Sequence, residues 1–252
     1  MNLIKVEKLK KIYNEYSLNP KLALNDLNFK VEYGEFICIM GTSGSGKTTL
    51  INILSTIDEA TSGTIIVDNM DITLMSETQK AQLRKEKIGF IFQNYNLIES
   101  LTIKDNILFS LKLNGVKKEF QEKKLKEVIN QLDIGDIIHK YPSECSGGQQ
   151  QRAAIARVLV MSPQIIFADE PTGNLDSLNA QELMKLFMKI NKENNITIIM
   201  VTHDSLVASY STKMYYMKDG KFDTCLDKLN KTHENYYKDI ITITSQMNLK
   251  SV

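Results

Sequence analysis

The feature that most constrains this chain is an octapeptide, Gly41-Thr42-Ser43-Gly44-Ser45-Gly46-Lys47-Thr48, set between an apolar run and an amphipathic segment. It fits the pattern GxxxxGK[ST]. Glycines at these positions let the backbone curl so that consecutive N–H groups point inward. Upstream, the strand expected over Glu35 to Met40 is continuously apolar from Phe36 on, as in a strand buried on both faces of a parallel sheet. Downstream, a helix is expected from about Lys47, with its positive N-terminus aimed into the same curl. A strand, a glycine loop and a helix in that order make a cradle for phosphate oxygens. Gly41, Thr42, Ser43, Gly44, Ser45 and Gly46 supply the loop, and Thr49 follows on the helix. Lys47 is placed to bridge the β- and γ-phosphates of a nucleoside triphosphate, and the Thr48 hydroxyl to ligate Mg²⁺. At average residue usage, a chain of this length matches the pattern by accident about once in a hundred. The flanking strand and helix make accident rarer still.

A phosphate cradle needs a metal-holding carboxylate and a group that orients water. Ile165-Ile166-Phe167-Ala168 is a second continuous apolar strand, and it ends in Asp169-Glu170. Ligands of parallel α/β sheets bind at the carboxyl ends of the strands. Asp169 is therefore placed to hold Mg²⁺, and Glu170 to polarise the attacking water. By itself an Asp-Glu pair after a strand is more often a solvated turn. Gln93 follows the apolar strand Ile88 to Phe92 and could reach the metal or the water. His203 follows Ile196 to Val201 and could hydrogen-bond the γ-phosphate.

The alternation Leu3 to Leu9 and Leu27 to Val31 predicts strands of a half-buried N-terminal antiparallel sheet. Leu125, Val128, Ile129 and Leu132 repeat at helical spacing, as do Leu183, Leu186, Phe187 and Ile190, and both stripes read as core. The expected fold is α/β. It has a P-loop parallel-sheet core, an N-terminal antiparallel β subdomain and a helical insertion over about 100–160. The main domain is expected over 1–222, followed by a short helical extension over 223–252.

Composition narrows the functions open to such a fold. Lys plus Arg number 31 against 30 Asp plus Glu. That balance leaves no basic excess for coating nucleic acid or an anionic membrane. Cys38, Cys145 and Cys225 are an odd number at wide spacings, expected to be small buried or half-buried side chains in a reducing compartment. The opening residues alternate apolar with charged, without the apolar core of a signal peptide. No run approaches the roughly 20 apolar residues of a membrane-spanning helix.

A second motif carries a resemblance to a known family. Cys145-Ser146-Gly147-Gly148-Gln149, followed by Gln150-Gln151-Arg152, stands just upstream of the Asp169-Glu170 strand. It resembles the LSGGQ signature of ABC (ATP-binding cassette) ATPases. Physically, Ser146 and Gln149 form a capping box at a helix start. Gly147 and Gly148 leave that helix's N–H groups uncovered, which makes a second anion site. In the family the phosphate loop of one subunit and the signature of another sandwich ATP, so the resemblance implies a homodimer. It also implies that Gln93 is the Q-loop glutamine, Asn174-Leu175-Asp176 the D-loop and His203 the switch histidine. Tyr13 resembles the aromatic that stacks on adenine, although Tyr16 stands open for the role. The departure from the pattern is Cys145 for leucine, which raises the prospect of sensitivity to thiol reagents.

The resemblance runs from about residue 2 to 222. Ala168 to Asp176 and the triple glutamine 149–151 are similar to cassettes that export lipoproteins, macrolides and peptides. Phe90 to Leu97, Leu101 to Ile107, and Thr202-His203-Asp204 with Ala208-Ser209-Tyr210 are similar to bacitracin- and lantibiotic-resistance transporters. Tyr236 to Ile240 resembles their C-terminal helix. This implies an ATPase on the cytoplasmic face of a membrane, paired with a large permease and, through it, a sensor kinase. Two other classes of cassette remain in view. One gates a membrane signalling or division complex. The other serves nucleic acid, with long coiled-coil arms or tandem cassettes that are not found here. A nucleotide-binding regulator without catalysis is disfavoured, because each residue the chemistry needs is present.

Overall fold

The structure is a computed structural model that describes residues 1–249. Strands β1 (Asn2–Tyr13) and β2 (Lys21–Glu32) form a long hairpin that leads into β3 (Phe36–Gly41) and helix α1 (Lys47–Leu54). Next come β4 (Ser62–Val67), β5 (Met70–Asp71), α2 (Glu77–Lys87) and β6 (Ile88–Ile91). Three helices follow, α3 (Ile103–Leu113), α4 (Lys118–Leu132) and α5 (Gly147–Leu159). The last third holds β7 (Ile165–Asp169), α6 (Ser177–Asn194), β8 (Thr197–Val201), α7 (Ser205–Ala208), β9 (Lys213–Lys218), β10 (Lys221–Asp227) and α8 (His233–Leu249).

Two sheets result. One has the order β2-β1-β4-β5 and pairs antiparallel throughout. The other has the order β10-β9-β3-β8-β7-β6, with β9, β3, β8, β7 and β6 all parallel. The continuous apolar strands are its middle, as two-faced burial requires. Successive side chains of a strand point to opposite faces, so each central strand serves two cores. Ile37, Ile39, Ile165, Phe167, Ile199 and Val201 pack toward α1 and the antiparallel sheet. Cys38, Met40, Ile166, Ala168, Ile198 and Met200 pack on the opposite face, toward the helices. That second core takes in Leu125, Val128 and Leu132 of α4 and Leu183, Leu186, Phe187 and Ile190 of α6.

Because β3, β8, β7 and β6 run parallel, their carboxyl ends lie along one edge of the sheet. Asp169 pairs in register with Val201, and Ile91 with Ala168. The segments leaving these strands are the phosphate loop, Gln93, Asp169-Glu170 and His203.

Two expectations need correction. The boundary at 222 falls inside β10, whose Phe222 pairs with Met217 of β9. The extension therefore begins as a sheet strand, and α8 starts later. Its Tyr236 is fully buried and donates to the Leu226 carbonyl at 3.2 Å. The cysteines also divide differently. Cys38 and Cys145 are buried but Cys225 is exposed. Cys145 is 8% accessible, with burial pushing its thiol up. A buried thiol short of its thiolate is a poor nucleophile, which removes the basis for a thiol-sensitive signature. Among the described residues no helix is long and apolar enough to cross a membrane.

Iodoacetamide at neutral pH is expected to label Cys225 of the folded protein first, and Cys38 and Cys145 after unfolding; peptide mass spectrometry reads the order. Phe187 is fully buried with its ring 6.4 Å from that of Phe36. Phe187→Ala is expected to cost about 3–5 kcal/mol, measured as a fall in the urea midpoint.

Candidate active site

The phosphate loop is built as its sequence requires. Gly46 has φ +107°, and a Cβ there would stand 2.5 Å from the Ala23 carbonyl oxygen. A side chain is excluded twice over, by backbone conformation and by space. Lys47 is buried, and its Nζ donates to the carbonyl oxygens of Gly41 at 2.8 Å and Thr42 at 2.9 Å. The ammonium thus ties the loop to itself. Burial lowers its pKa, while the charges of Glu170 and Asp169 oppose the shift. Ser45 lies in the loop wall with its hydroxyl oxygen buried and unpartnered. Such an atom is costly unless something polar meets it.

Asp169 ends β7, and its Oδ1 stands 3.4 Å from the Thr48 hydroxyl. Burial, and then the neighbouring Glu170 charge, push the Asp169 carboxyl up. A cation at this point would relieve both. Hydroxyl and carboxylate oxygens are the hard donors that Mg²⁺ takes, with phosphate oxygens and water filling its shell. These residues therefore fit that ion. Among the described residues no group of three or more His, Cys, Asp and Glu side chains gathers to hold a metal without such help.

Glu170 adopts φ +44°, a left-handed conformation uncommon outside glycine. Its N–H donates to the Val201 carbonyl at 3.0 Å, which clamps the turn. Such strain concentrates where function requires it. The Glu170 carboxylate accepts from His203 Nδ1 at 2.8 Å. Sequence reasoning placed each on its own strand end without foreseeing this pair.

Gln93, Glu170 and His203 face the phosphate loop across an open cleft of about 620 Å³. Besides Lys21 and Ala23, every residue lining the cleft is one the sequence had singled out, Ser43, Gly44, Thr48 and Thr49 among them. Gly41, Thr42, Ser45 and Asp169 are absent from that lining. Tyr13 also lines the cleft, and its hydroxyl donates to Asp58 Oδ2 at 2.7 Å. Lys11 Nζ covers one face of its ring, 4.7 Å from the centroid. Tyr16 is 98% exposed and lies outside the cleft lining. The geometry favours Tyr13.

The signature forms the expected capping box. Ser146 Oγ accepts from Gln149 N–H at 3.3 Å, and Gln149 Oε1 accepts from Ser146 N–H at 3.0 Å. The Ser146 hydroxyl proton and the first N–H groups of α5 stay free for an anion. Ser146, Gly147, Gly148 and Gln149 are absent from the lining of the cleft of their own chain. Between the two sites runs the segment after Gln93. Arg157 of α5 donates to the carbonyl oxygens of Asn96 and, at 3.0 Å, Tyr95. Asn174 donates to the Gln93 carbonyl at 3.0 Å. Asn106, fully buried, accepts from Ile98 N–H at 2.7 Å and donates to the Ile98 carbonyl at 3.0 Å. The roles of Arg157 and Asn106 escaped the sequence reading; a half-buried charge or a buried amide announces itself only once burial is known.

Comparison with known proteins agrees with this geometry. The family described as ABC transporter matches residues 24–173. The bacitracin export ATP-binding protein BceA of Halalkalibacterium halodurans is 43% identical, covering 96% of this chain and 95% of its own. The macrolide export ATP-binding/permease protein MacB of Syntrophobacter fumaroxidans is 40% identical over 87% of this chain but only 31% of its own. Among solved structures, the dimeric post-hydrolysis state of the ATP-binding cassette MJ0796 bound to ADP and Pi superposes with TM-score 0.80. It is 35% identical, covering 89% of this chain and 98% of that one. An octapeptide loop, a strand-end carboxylate pair and a capped signature helix, on a fold shared with these cassettes, have one explanation: this chain is an ATP-binding cassette and belongs to the ABC transporter family.

Proposed function

We propose that this chain hydrolyses ATP as one half of a homodimer and so drives a separate membrane permease that exports, or confers resistance to, bacitracin-like antimicrobial peptides. One observation carries the catalytic part. Residues from four strand ends, Lys47, Gln93, Glu170 and His203, face a single cleft, while the second anion-binding helix tip in the chain lies outside it. Two copies related by symmetry would bring each tip over the other's cleft.

In this reading Tyr13 stacks on adenine with the ring face that Lys11 leaves open. The loop N–H groups and Lys47 hold the β- and γ-phosphates, and Thr48, Asp169 and Gln93 would hold Mg²⁺. Bound there, Mg²⁺ neutralises charge that builds on the phosphates. Ser146, Gly147, Gly148 and Gln149 of a second copy close over the γ-phosphate. Closure supplies the positioning on which phosphoryl transfer chiefly depends. Glu170 accepts a hydrogen bond from the attacking water and draws off its proton as oxygen bonds to the γ-phosphorus and the bond to ADP breaks. His203 keeps its proton on Nδ1 toward Glu170, leaving Nε2 for the phosphate side. With the γ-phosphate gone, the contact across the dimer is lost and the copies separate.

The permease would dock in a groove of about 380 Å³ lined by Phe90, Phe92, Leu113 and Arg157. The Phe90 and Phe92 rings lie 4.3 Å apart, and Leu113 is 71% exposed, a large apolar side chain without cover. Arg157 also holds the segment after Gln93, so the groove and the cleft share a support. A relative that carries cassette and permease in one polypeptide, and another named for bacitracin export, support this partner and cargo. On this reading the cassette sits on the cytoplasmic face of the membrane. A sensor kinase would be reached through the permease.

Glu170→Gln is expected to bind Mg-ATP, stall hydrolysis by about a hundredfold or more and elute as an ATP-dependent dimer. Rapid turnover by this variant, or a strictly monomeric ATP-bound form, overturns the mechanism. Lys47→Ala is expected to lose ATP binding, read by calorimetry. Expression with its permease should raise bacitracin tolerance, and Glu170→Gln should abolish that gain.

A further inference from the structure

His203 is held by little that touches it. Its side chain is 70% exposed, so packing does not fix the ring, and its aim must come from the backbone of residues 202–204. That backbone is well tied. Thr202 N–H donates to the Ile39 carbonyl at 3.2 Å, and Thr202 Oγ1 accepts from Asp204 N–H at 3.1 Å. Asp204 Oδ1 in turn accepts from Leu206 N–H at 2.7 Å and opens α7. Yet α7 is a single turn, Ser205–Ala208. A helix this short has no stability of its own. Something else must hold it, and with it the aim of His203.

That element is α8. Val207, Ala208 and Tyr210 share one core with Tyr236 and Ile240. Polar contacts fix the register of the pair. Ser205 Oγ and Thr244 Oγ1 lie 3.4 Å apart, and Ser209 Oγ and His233 Nε2 lie 2.9 Å apart. The Ser209 hydroxyl spends its proton on the Leu206 carbonyl at 2.6 Å. His233 Nε2 must therefore carry the proton and donate to Ser209. The His233 ring also meets the Tyr210 ring edge-on, with centroids 4.8 Å apart. Burial, and then the nearby Lys228 ammonium, lower the His233 pKa, in keeping with a neutral ring.

We propose that α8 is a strut for the catalytic loop, with His233 and Ser209 as positioning residues that hold α7 and thereby keep His203 on Glu170. The inference rests on the role given above to His203. Nucleotide binding belongs to the phosphate loop on the far side of the cleft, so losing the strut should slow the chemical step and leave affinity intact.

The test uses the purified full chain with Mg-ATP. His233→Phe keeps an aromatic ring but removes the donor, and His233→Gln restores one. His233→Phe is expected to lower kcat by about tenfold, less than the roughly hundredfold that a misplacement of about 1 Å can cost, with KM and ATP affinity within about twofold of wild type. His233→Gln should recover most of the rate. In a His203→Ala background, His233→Phe should add no further loss, because its effect passes through the missing ring. If His233→Phe does not fold, Ser209→Ala removes the acceptor instead and should show the same pattern. An unchanged kcat, a parallel loss of ATP affinity, or an additive loss on His203→Ala would each overturn the proposal. His203→Ala alone separates the two readings. If it hydrolyses ATP at the wild-type rate, the role of His203 falls. If it is slow while His233→Phe is normal, only the strut falls.

Discussion

A loop that turns its N–H groups inward around a phosphate has few of them left to hold itself, and the rest of this structure follows from what else holds it. Strand β3, which delivers the loop, is flanked by β8 on one side and β9 on the other. Lys47, at the loop's far end, reaches back to the carbonyl oxygens of Gly41 and Thr42 at its start. From outside, Gly220 N–H, at the β9–β10 turn, donates to the Ser45 carbonyl at 3.0 Å. The cradle is thus tied by contacts within the chain itself, and groups positioned in this way need little reorganisation at the moment of reaction.

The same sheet geometry delivers the other reacting groups. Parallel strands end at one edge, so residues far apart in sequence reach the cleft by being strand ends. The strained Glu170 turn sits between the Val201 carbonyl and the His203 ring, and its distortion is stabilised by a neighbouring strand. The segment beyond Gln93 is tied to α3 by Asn106, to α5 by Arg157 and to the turn before α6 by Asn174. At Gly147, a Cβ would come within 2.8 Å of the Tyr95 hydroxyl, so the signature glycine also makes room for that segment. Cleft, signature helix and groove are joined by contacts to one loop.

Much of this was legible in the linear sequence. The phosphate loop, the Asp169-Glu170 strand end and the Ser146–Gln149 capping box depend on local backbone rules, and each formed where its residues stood. The apolar stripes of α4 and α6 packed as their spacing required. Less legible were features that need two distant segments at once. Tyr13 and Tyr16 could not be ranked until the hairpin closed and put one beside Asp58 and Lys11 and left the other in solvent. Cys145 was expected to pack, and the reactivity of its thiol stayed open until its burial was known. The boundary at 222 failed because β10 takes its place by pairing with β9 and carries no strong pattern of its own.

The sequence alone determined the chemistry: which residues could cradle phosphate, ligate a metal and cap a second anion site, because those abilities reside in glycine conformations, side-chain donors and spacing. Tertiary structure decided geometry between segments: that Glu170 meets His203, that the signature stands outside its own chain's cleft, and that α8 props the turn behind the histidine. The division has a physical cause. Local conformation is set by neighbours within a few residues, whereas contacts across the fold depend on which faces of helices and strands the two cores draw together.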